Sequence, residues 1–276
     1  TRDLNDSFFN RLTLTIQYRL IKHFFVHTEL MRKELEKEFG VPAGLITVIP
    51  FGINNAIPDT NLTSAEARRR LGILKSERVL LFYGHIAPYK GLEYLLNAFK
   101  QVAARSSDYR LIIAGKPKNC EKYWSDLQVL MEGEIIRGKI LQIIKHIPDD
   151  ETEVYLKAAD VLVLPYRHIY QSGVLFLGYN FGLPVIATDV GSLKEDIIEG
   201  KTGFVCKPEN PGDLARAIET YFSSDSYKDL DNRRQKIRDY ALRRHSWDVV
   251  GKLTGNVYRQ VLGEQVPEPG YPTTPP

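Results

Sequence analysis

Six short runs of branched aliphatic residues punctuate the middle of this chain, and they constrain its fold more than any other feature. Arg78 to Gly84 reads RVLLFYG, Tyr109 to Gly115 YRLIIAG, and Ile140 to Ile147 ILQIIKHI. Val161 to Pro165 reads VLVLP, Pro184 to Thr188 PVIAT, and Gly203 to Lys207 GFVCK. Continuous Val/Ile/Leu runs of this length predict strands buried on both faces. Between them lie segments of helical spacing, such as GLEYLLNAFKQVAAR with Leu92, Leu95, Leu96 and Phe99 on one face. Further helices are expected over Lys122 to Ile136, TEVYLKAAD, SGVLFLGYNFG, SLKEDIIEG and PGDLARAIETYF. Strands alternating with helices predict an α/β fold, a doubly wound, Rossmann-like parallel sheet with right-handed crossovers. In such a sheet ligands lie beyond the carboxyl ends of the strands, so the βα loops are where chemistry is expected.

The rest of the chain divides around this core. Residues 8–22 place Phe8, Leu12, Ile16 and Leu20 on one helix face. HFFVHT then reads as a strand, LMRKELEKEFG as a helix closed by a left-handed Gly40, and LITVIPFG as a second strand. Residues 1–53 are therefore expected to be the last β-α-β piece of another Rossmann-like domain. Residues 54–75 read as a polar linker with a short helix at Ala65 to Leu71, and 76–246 as the ligand-binding domain. Residues 247–262 read as a closing helix and the proline-rich 263–276 as a disordered tail. The sequence opens on Thr1 rather than Met, and we expect it to be a piece of a longer chain.

Composition excludes several classes. With 37 basic and 34 acidic residues the net charge is +3, too even for a dedicated nucleic-acid binder. Cys120 and Cys206 form no disulfide framework and lack zinc-ligand spacing, and Cys206 is expected to be a small buried hydrophobe. No apolar run approaches the roughly 20 residues that cross a bilayer, and no signal peptide is evident, so the default compartment is cytoplasmic. The arginines at 68–70 and the series Arg233, Arg234, Lys236, Arg238, Arg243 and Arg244 are expected to be solvated helix faces. Attraction to anionic lipid head groups is the alternative reading of these basic runs. The pairs Phe8-Phe9 and Phe24-Phe25 are expected in the core.

The first βα loop carries the clearest chemistry. Gly84 permits a tight turn, and Lys90 precedes Gly91 at the start of a helix, which together make an anion site suited to phosphate. The pattern G-x-x-x-x-x-K-G-x-x-x-L-L-x-A-F, Gly84 to Phe99, resembles the retaining nucleotide-sugar glycosyltransferases of the two-domain GT-B fold, family 4 in particular. LIIAG, AADVLVLPY, GLPVIATDVGSLKEDIIEGKTGFV and HSW continue the likeness, which spans Ile46 to about Leu262.

That resemblance implies sugar transfer from a nucleoside diphosphate sugar to a glycan or lipid-linked acceptor. It places the fragment at 1–53 on the acceptor side, and it implies peripheral membrane association at most. No metal and no separate cofactor are expected, because positive side chains and helix dipoles neutralise the diphosphate. Lys90 matches the lysine that does so, whereas the partner arginine is replaced by His85. The family's two glutamates fall on Tyr170 and Gly178, neither of them acidic. Gln171, Ser172 and the backbone of Gly173 and Val174 stand there instead, as a helix N-terminus able to hold phosphate and sugar hydroxyls. Arg167 and His168, just upstream, are expected to supply the charge lost at His85. Glu195 matches an acidic position near the nucleotide. Ile147 to Asp149 occupy the base-reading loop, with Asp149 or Asp150 as the expected helix N-cap. Two rivals stay open: a non-catalytic nucleotide-sugar-binding or partner domain that lost its acidic pair, and a nucleotide-sugar epimerase. The chain by itself is expected to bind donor weakly and to transfer nothing.

Overall fold

The structure is a computed structural model that describes residues 7–264 except Asn55. It divides into two compact units, one running to Gly52 and resuming at Arg244, the other spanning Ile53–Arg243. The first begins with helix α1 (Phe8–Leu20), strand β1 (Phe24–Val26), helix α2 (Glu29–Phe39) and strand β2 (Ile46–Val48). β1 and β2 pair in parallel, Phe24 opposite Ile46 and Val26 opposite Val48. Thr28 caps α2 by accepting from Met31 N–H, and Gly40 ends it at φ 64°, the left-handed cap that its sequence predicts. Phe24, Val26, Val41 and Ile46 form this unit's small core, with the Tyr18 ring edge-on to Phe24.

The second unit begins with α3 (Ser64–Arg70) and β3 (Arg78–Tyr83), followed by α4 (Leu92–Arg105), β4 (Tyr109–Ala114), α5 (Glu121–Ile136), β5 (Ile140–Ile143), α6 (Asp149–Ala158) and β6 (Val161–Leu164). It continues through α7 (Gly173–Asn180), β7 (Val185–Thr188), β8 (Gly203–Cys206), α8 (Pro211–Ser223), α9 (Asp225–Lys228) and α10 (Leu230–His245). Finally α11 (Trp247–Leu262) belongs to the first unit, where the Tyr258 ring lies 6.0 Å from that of Phe25.

The sheet order is β5-β4-β3-β6-β7-β8, and every pairing is parallel. Numbered from β3 as first strand, this is the 3-2-1-4-5-6 order of the Rossmann fold. β6 and β7 are buried along their whole length, as continuous apolar runs require. Helix α4 lays Leu92, Leu95, Leu96, Phe99 and Val102 on the sheet, each large side chain contributing about 2 kcal/mol by burial. The order in which strands are added reverses between β3 and β6, which opens a crevice above their carboxyl ends.

The linker segment 54–75 carries its short helix as α3 and is tied to α6. Lys157 Nζ lies 2.8 Å from Asp59 and 2.9 Å from Glu153, and the Thr60 amide and hydroxyl both donate to Glu153. Several expectations are corrected. Arg68 is buried rather than solvated. Its guanidinium meets Asp160 at 2.7 Å and donates to the carbonyls of Ala158 and Glu77. Arg234 is likewise held by the carbonyls of Phe181 and Ala159. The helix expected over 192–200 is only a 3-10 turn at Leu193–Asp196, because Ser192 is committed through both its N–H and its hydroxyl to Tyr170 O. Phe9, Leu12, Ile16 and Leu20 are exposed, so α1 turns its most apolar stripe outward. The tail expected to be disordered lies, from residue 265 on, outside the described residues.

Candidate active site

The crevice is built on glycine contacts. Gly84 ends β3 at φ 96°, and a Cβ there would stand 3.1 Å from Lys90 Nζ and 3.7 Å from Val174. Lys90 and the first turn of α7 therefore meet over Gly84 across the β3/β6 switch. Gly91 has φ 63°, and its Cβ would come within 2.1 Å of Pro165 O, so only glycine lets the start of α4 seat against the end of β6. Arg167 N–H donates to Tyr89 O at 2.8 Å and ties the loops after β3 and β6 together.

Lys90 is 5% exposed, and its side chain has no hydrogen-bond or ion-pair partner among the described residues. Its ammonium stands 5.5 Å from the centroid of the Tyr166 ring, itself fully buried. Burial pulls Lys90 down to about 8. A buried cation with a ring face for company and no counter-ion is a site prepared for an anion. Tyr166 was missed in the sequence, where VLVLPY reads only as a strand and its end.

Ser172 occupies the N-cap of α7 without capping it. Its hydroxyl lies 3.4 Å from the Tyr166 hydroxyl, so the N–H groups of Gly173 and Val174 are left pointing out of the helix start. Gln171 Oε1 is buried and accepts no hydrogen bond among the described residues. Gly178 faces the sheet, where a Cβ would stand 2.8 Å from Leu162, so no side chain from this position reaches the crevice.

The remaining predicted residues line the rim. His85 is exposed, and burial together with the positive charges of Lys118, Lys90, Lys116 and His146 lowers its pKa below the ordinary 6.5. Arg167 stands 3.5 Å from Glu209, whose carboxylate also accepts from the Tyr94 hydroxyl at 2.7 Å. The charge Arg167 brings is thus already shared with an acid, a partner the sequence did not reveal. Ile147 is buried behind the β5–α6 loop, and Asp149 is exposed in the first turn of α6. The N-cap there is Pro148, not Asp149 or Asp150, because Pro148 already holds the extended backbone that starts the helix; both aspartates sit inside the first turn, where they complement its dipole. The Tyr83 hydroxyl and Thr152, 2.6 Å apart, fasten α6 to β3. Glu195 is exposed on the 3-10 turn after β7. The structure brings Gly84, Lys90, Gly91, Ser172, Gly173 and Val174 into one cluster, while Glu195 and Asp149 stand apart on neighbouring loops of the same sheet end.

The family model described as glycosyl transferases group 1 matches residues 63–244, more than half of the chain. The chain belongs to that family. An uncharacterized glycosyltransferase of Methanocaldococcus jannaschii is 29% identical over 83% of this chain and 57% of its own length. A D-inositol 3-phosphate glycosyltransferase of Corynebacterium urealyticum is 27% identical over 90% of this chain and 59% of its own. The glycosyltransferase chain thus spans under two-thirds of the length of these relatives. Among solved structures, Anabaena HepE in complex with UDP superposes with a TM-score of 0.77 at 17% identity, covering 94% of this chain and 70% of that one. Sucrose-phosphate synthase from Thermosynechococcus elongatus gives 0.75 at 22% identity, covering 95% and 63%. These likenesses establish the Rossmann-like architecture of GT-B glycosyltransferases. Among the described residues no helix is long and apolar enough to cross a membrane.

Proposed function

We propose that this chain carries the donor-binding half of a family 4 glycosyltransferase that takes a sugar from a nucleoside diphosphate sugar with retention at the anomeric carbon. The observation that carries the reading is Lys90, a buried ammonium with no counter-ion among the described residues that meets the start of α7 over Gly84. As the sugar–phosphate bond breaks, negative charge grows on the departing diphosphate. Lys90 and the N–H groups of Gly173 and Val174 are proposed to stabilise that charge. A side-chain cation and backbone N–H dipoles of this kind do the work a divalent metal does elsewhere, so transfer is proposed to be metal-independent. The neutral, unpartnered Gln171 carbonyl is proposed to accept from a sugar hydroxyl. HepE has been solved in complex with UDP and with UDP-glucose, which supports a nucleotide sugar as the donor. The acceptor is proposed to be a glycan or a lipid-linked sugar, met at the membrane periphery in the latter case.

Calorimetric titration of UDP, GDP and their sugars tests this reading. Binding of at least one nucleoside diphosphate, lost in Lys90→Met, is the expected result; a chain that binds none of them overturns it. Retention is checked by NMR of the first-formed product, whose anomeric configuration must match that of the donor. A second reading, a binding domain without catalysis, is favoured by Gly178, which brings no carboxylate to the crevice. Donor binding without transfer by the longest available chain would select it.

A further inference from the structure

Lys116 and Lys118 stand beside His85, and neither belongs to the motif that marks the site. They lie on the loop after β4, which is bonded backbone to backbone to the loop after β3. Gly84 N–H donates to Ala114 O at 2.9 Å, Ile86 N–H to Lys116 O at 2.9 Å, and Lys118 N–H to Ile86 O at 3.0 Å. Ile86 and Pro117 form a parallel bridge. Gly115 makes the approach possible, for a Cβ there would stand 1.9 Å from Gly84 O.

Side chains alternate along such a ladder. Ile86 is wholly buried. His85, beside it, and Lys116 and Lys118, on either side of its partner Pro117, therefore project to the opposite face, and all three are exposed. The largest charge effects on His85 come from positive groups: Lys90 on its own loop, Lys116 and Lys118 across the bridge, and His146 on the loop after β5. No side chain of Lys116, Lys118 or His146 makes a hydrogen bond or ion pair among the described residues. Arg167, on the other flank, is already opposed by Glu209. Exposed lysines bonded through their backbone to the phosphate loop, with no ion pair of their own among the described residues, are complementary to a polyanion.

We infer that Lys116 and Lys118 are diphosphate-binding residues of this glycosyltransferase, acting on the donor from the β4 side of Gly84 while the start of α7 acts from the β6 side. This rests on the donor-site reading above. The two lysines supply the charge that a neutral His85 does not, and their exposure makes their effect sensitive to salt.

The test is titration of UDP and GDP into the whole chain and into a Lys116→Gln/Lys118→Gln double variant, at low and at high ionic strength. Both positions are exposed, and a thermal melt matched to the wild type confirms the fold. The double variant is expected to bind the preferred nucleoside diphosphate about 10-fold more weakly at low salt, and within about 3-fold at 0.5 M salt, where exposed charges are screened. The charge-conserving Lys116→Arg/Lys118→Arg pair is expected to keep wild-type affinity, and Lys122→Gln on the neighbouring α5 to shift it less than about 2-fold. A double Gln variant that binds within about 2-fold of wild type at low salt overturns this inference and leaves the donor site intact. A wild-type chain that binds neither nucleotide overturns the donor-site reading, and this inference with it.

Discussion

Replacing Lys90 by methionine separates what the ammonium does for binding from what it costs the fold. Met matches the stem in length and is at home in an apolar pocket. Burial lowers Lys90 from 10.5 to about 8. A fall of that size disfavours the charged form in the folded chain by about 3 kcal/mol. The sign follows from linkage: below pH 8 the lysine is charged in both folded and unfolded chains, and the folded chain carries the whole cost. Between about pH 8 and 10.5 the folded chain sheds its proton first, and the cost is relieved. The contact of Lys90 with the Tyr166 ring returns about 1 kcal/mol, which the variant loses. Lys90→Met is therefore expected to be about 1–3 kcal/mol more stable than wild type at pH 7, a margin that shrinks towards zero by pH 10. The same change is expected to weaken nucleoside diphosphate binding at least about 30-fold, because a desolvated charge partner is removed. Urea unfolding at pH 7 and pH 10, with calorimetric titration of UDP and GDP at pH 7, reads both effects. A variant less stable than wild type at pH 7, or one that binds nucleotide as well as wild type, refutes the reasoning. So does a stability gain that is the same at both pH values.

Gly91→Ala adds a methyl 2.1 Å from Pro165 O at a φ of 63° and is expected to cost about 3 kcal/mol, a drop near 10 °C in Tm by calorimetry. Removing one partner of the buried Arg68–Asp160 pair, as in Asp160→Asn, is expected to cost about 3–5 kcal/mol in urea unfolding. The double change Arg68→Met/Asp160→Asn is expected to cost less than the two singles added, and strict additivity would contradict the pairing. Because His85 is held neutral at pH 7 by burial and the cations around it, an anion favours its protonation. Affinity for a nucleotide sugar, whose phosphates hold their charge across this range, is therefore expected to rise as pH falls from 7 to 5.5, a window below the one in which Lys90 titrates. His85→Asn should flatten that slope, and an unchanged slope would show that another group titrates. Gln171→Ala is expected to weaken binding of the nucleotide sugar about 3- to 10-fold while leaving the nucleoside diphosphate alone unchanged, a comparison made by calorimetry.

The alternation of strands and helices was legible because it rests on local properties. Runs such as VLVLP declare burial on both faces whatever lies beside them, and Gly84, Lys90 and Gly91 mark a strand-to-helix turn by residue type alone. The same holds for the Gly40 cap and for Ser172 at the start of α7. What the sequence left open depends on contacts between distant residues. Arg68 in an RRR run looks solvated until Asp160, 92 positions later, is seen to meet it in the core. The stripe on α1 has helical period, yet periodicity alone does not say which face is covered, and here the apolar one is not. Charge is the clearest case. The sequence pointed to Arg167 and His168 for the charge lost at His85 because they lie just upstream of the start of α7. Tertiary structure placed Glu209 against Arg167 and brought Lys116 and Lys118 to His85 through the Ile86–Pro117 bridge. By itself the sequence determined the sheet, its helices and the end at which the proposed phosphate site lies, because each is written in neighbours along the chain. Which cations gather around that end was decided only by the fold, since electrostatics follows distance in space and not position in sequence.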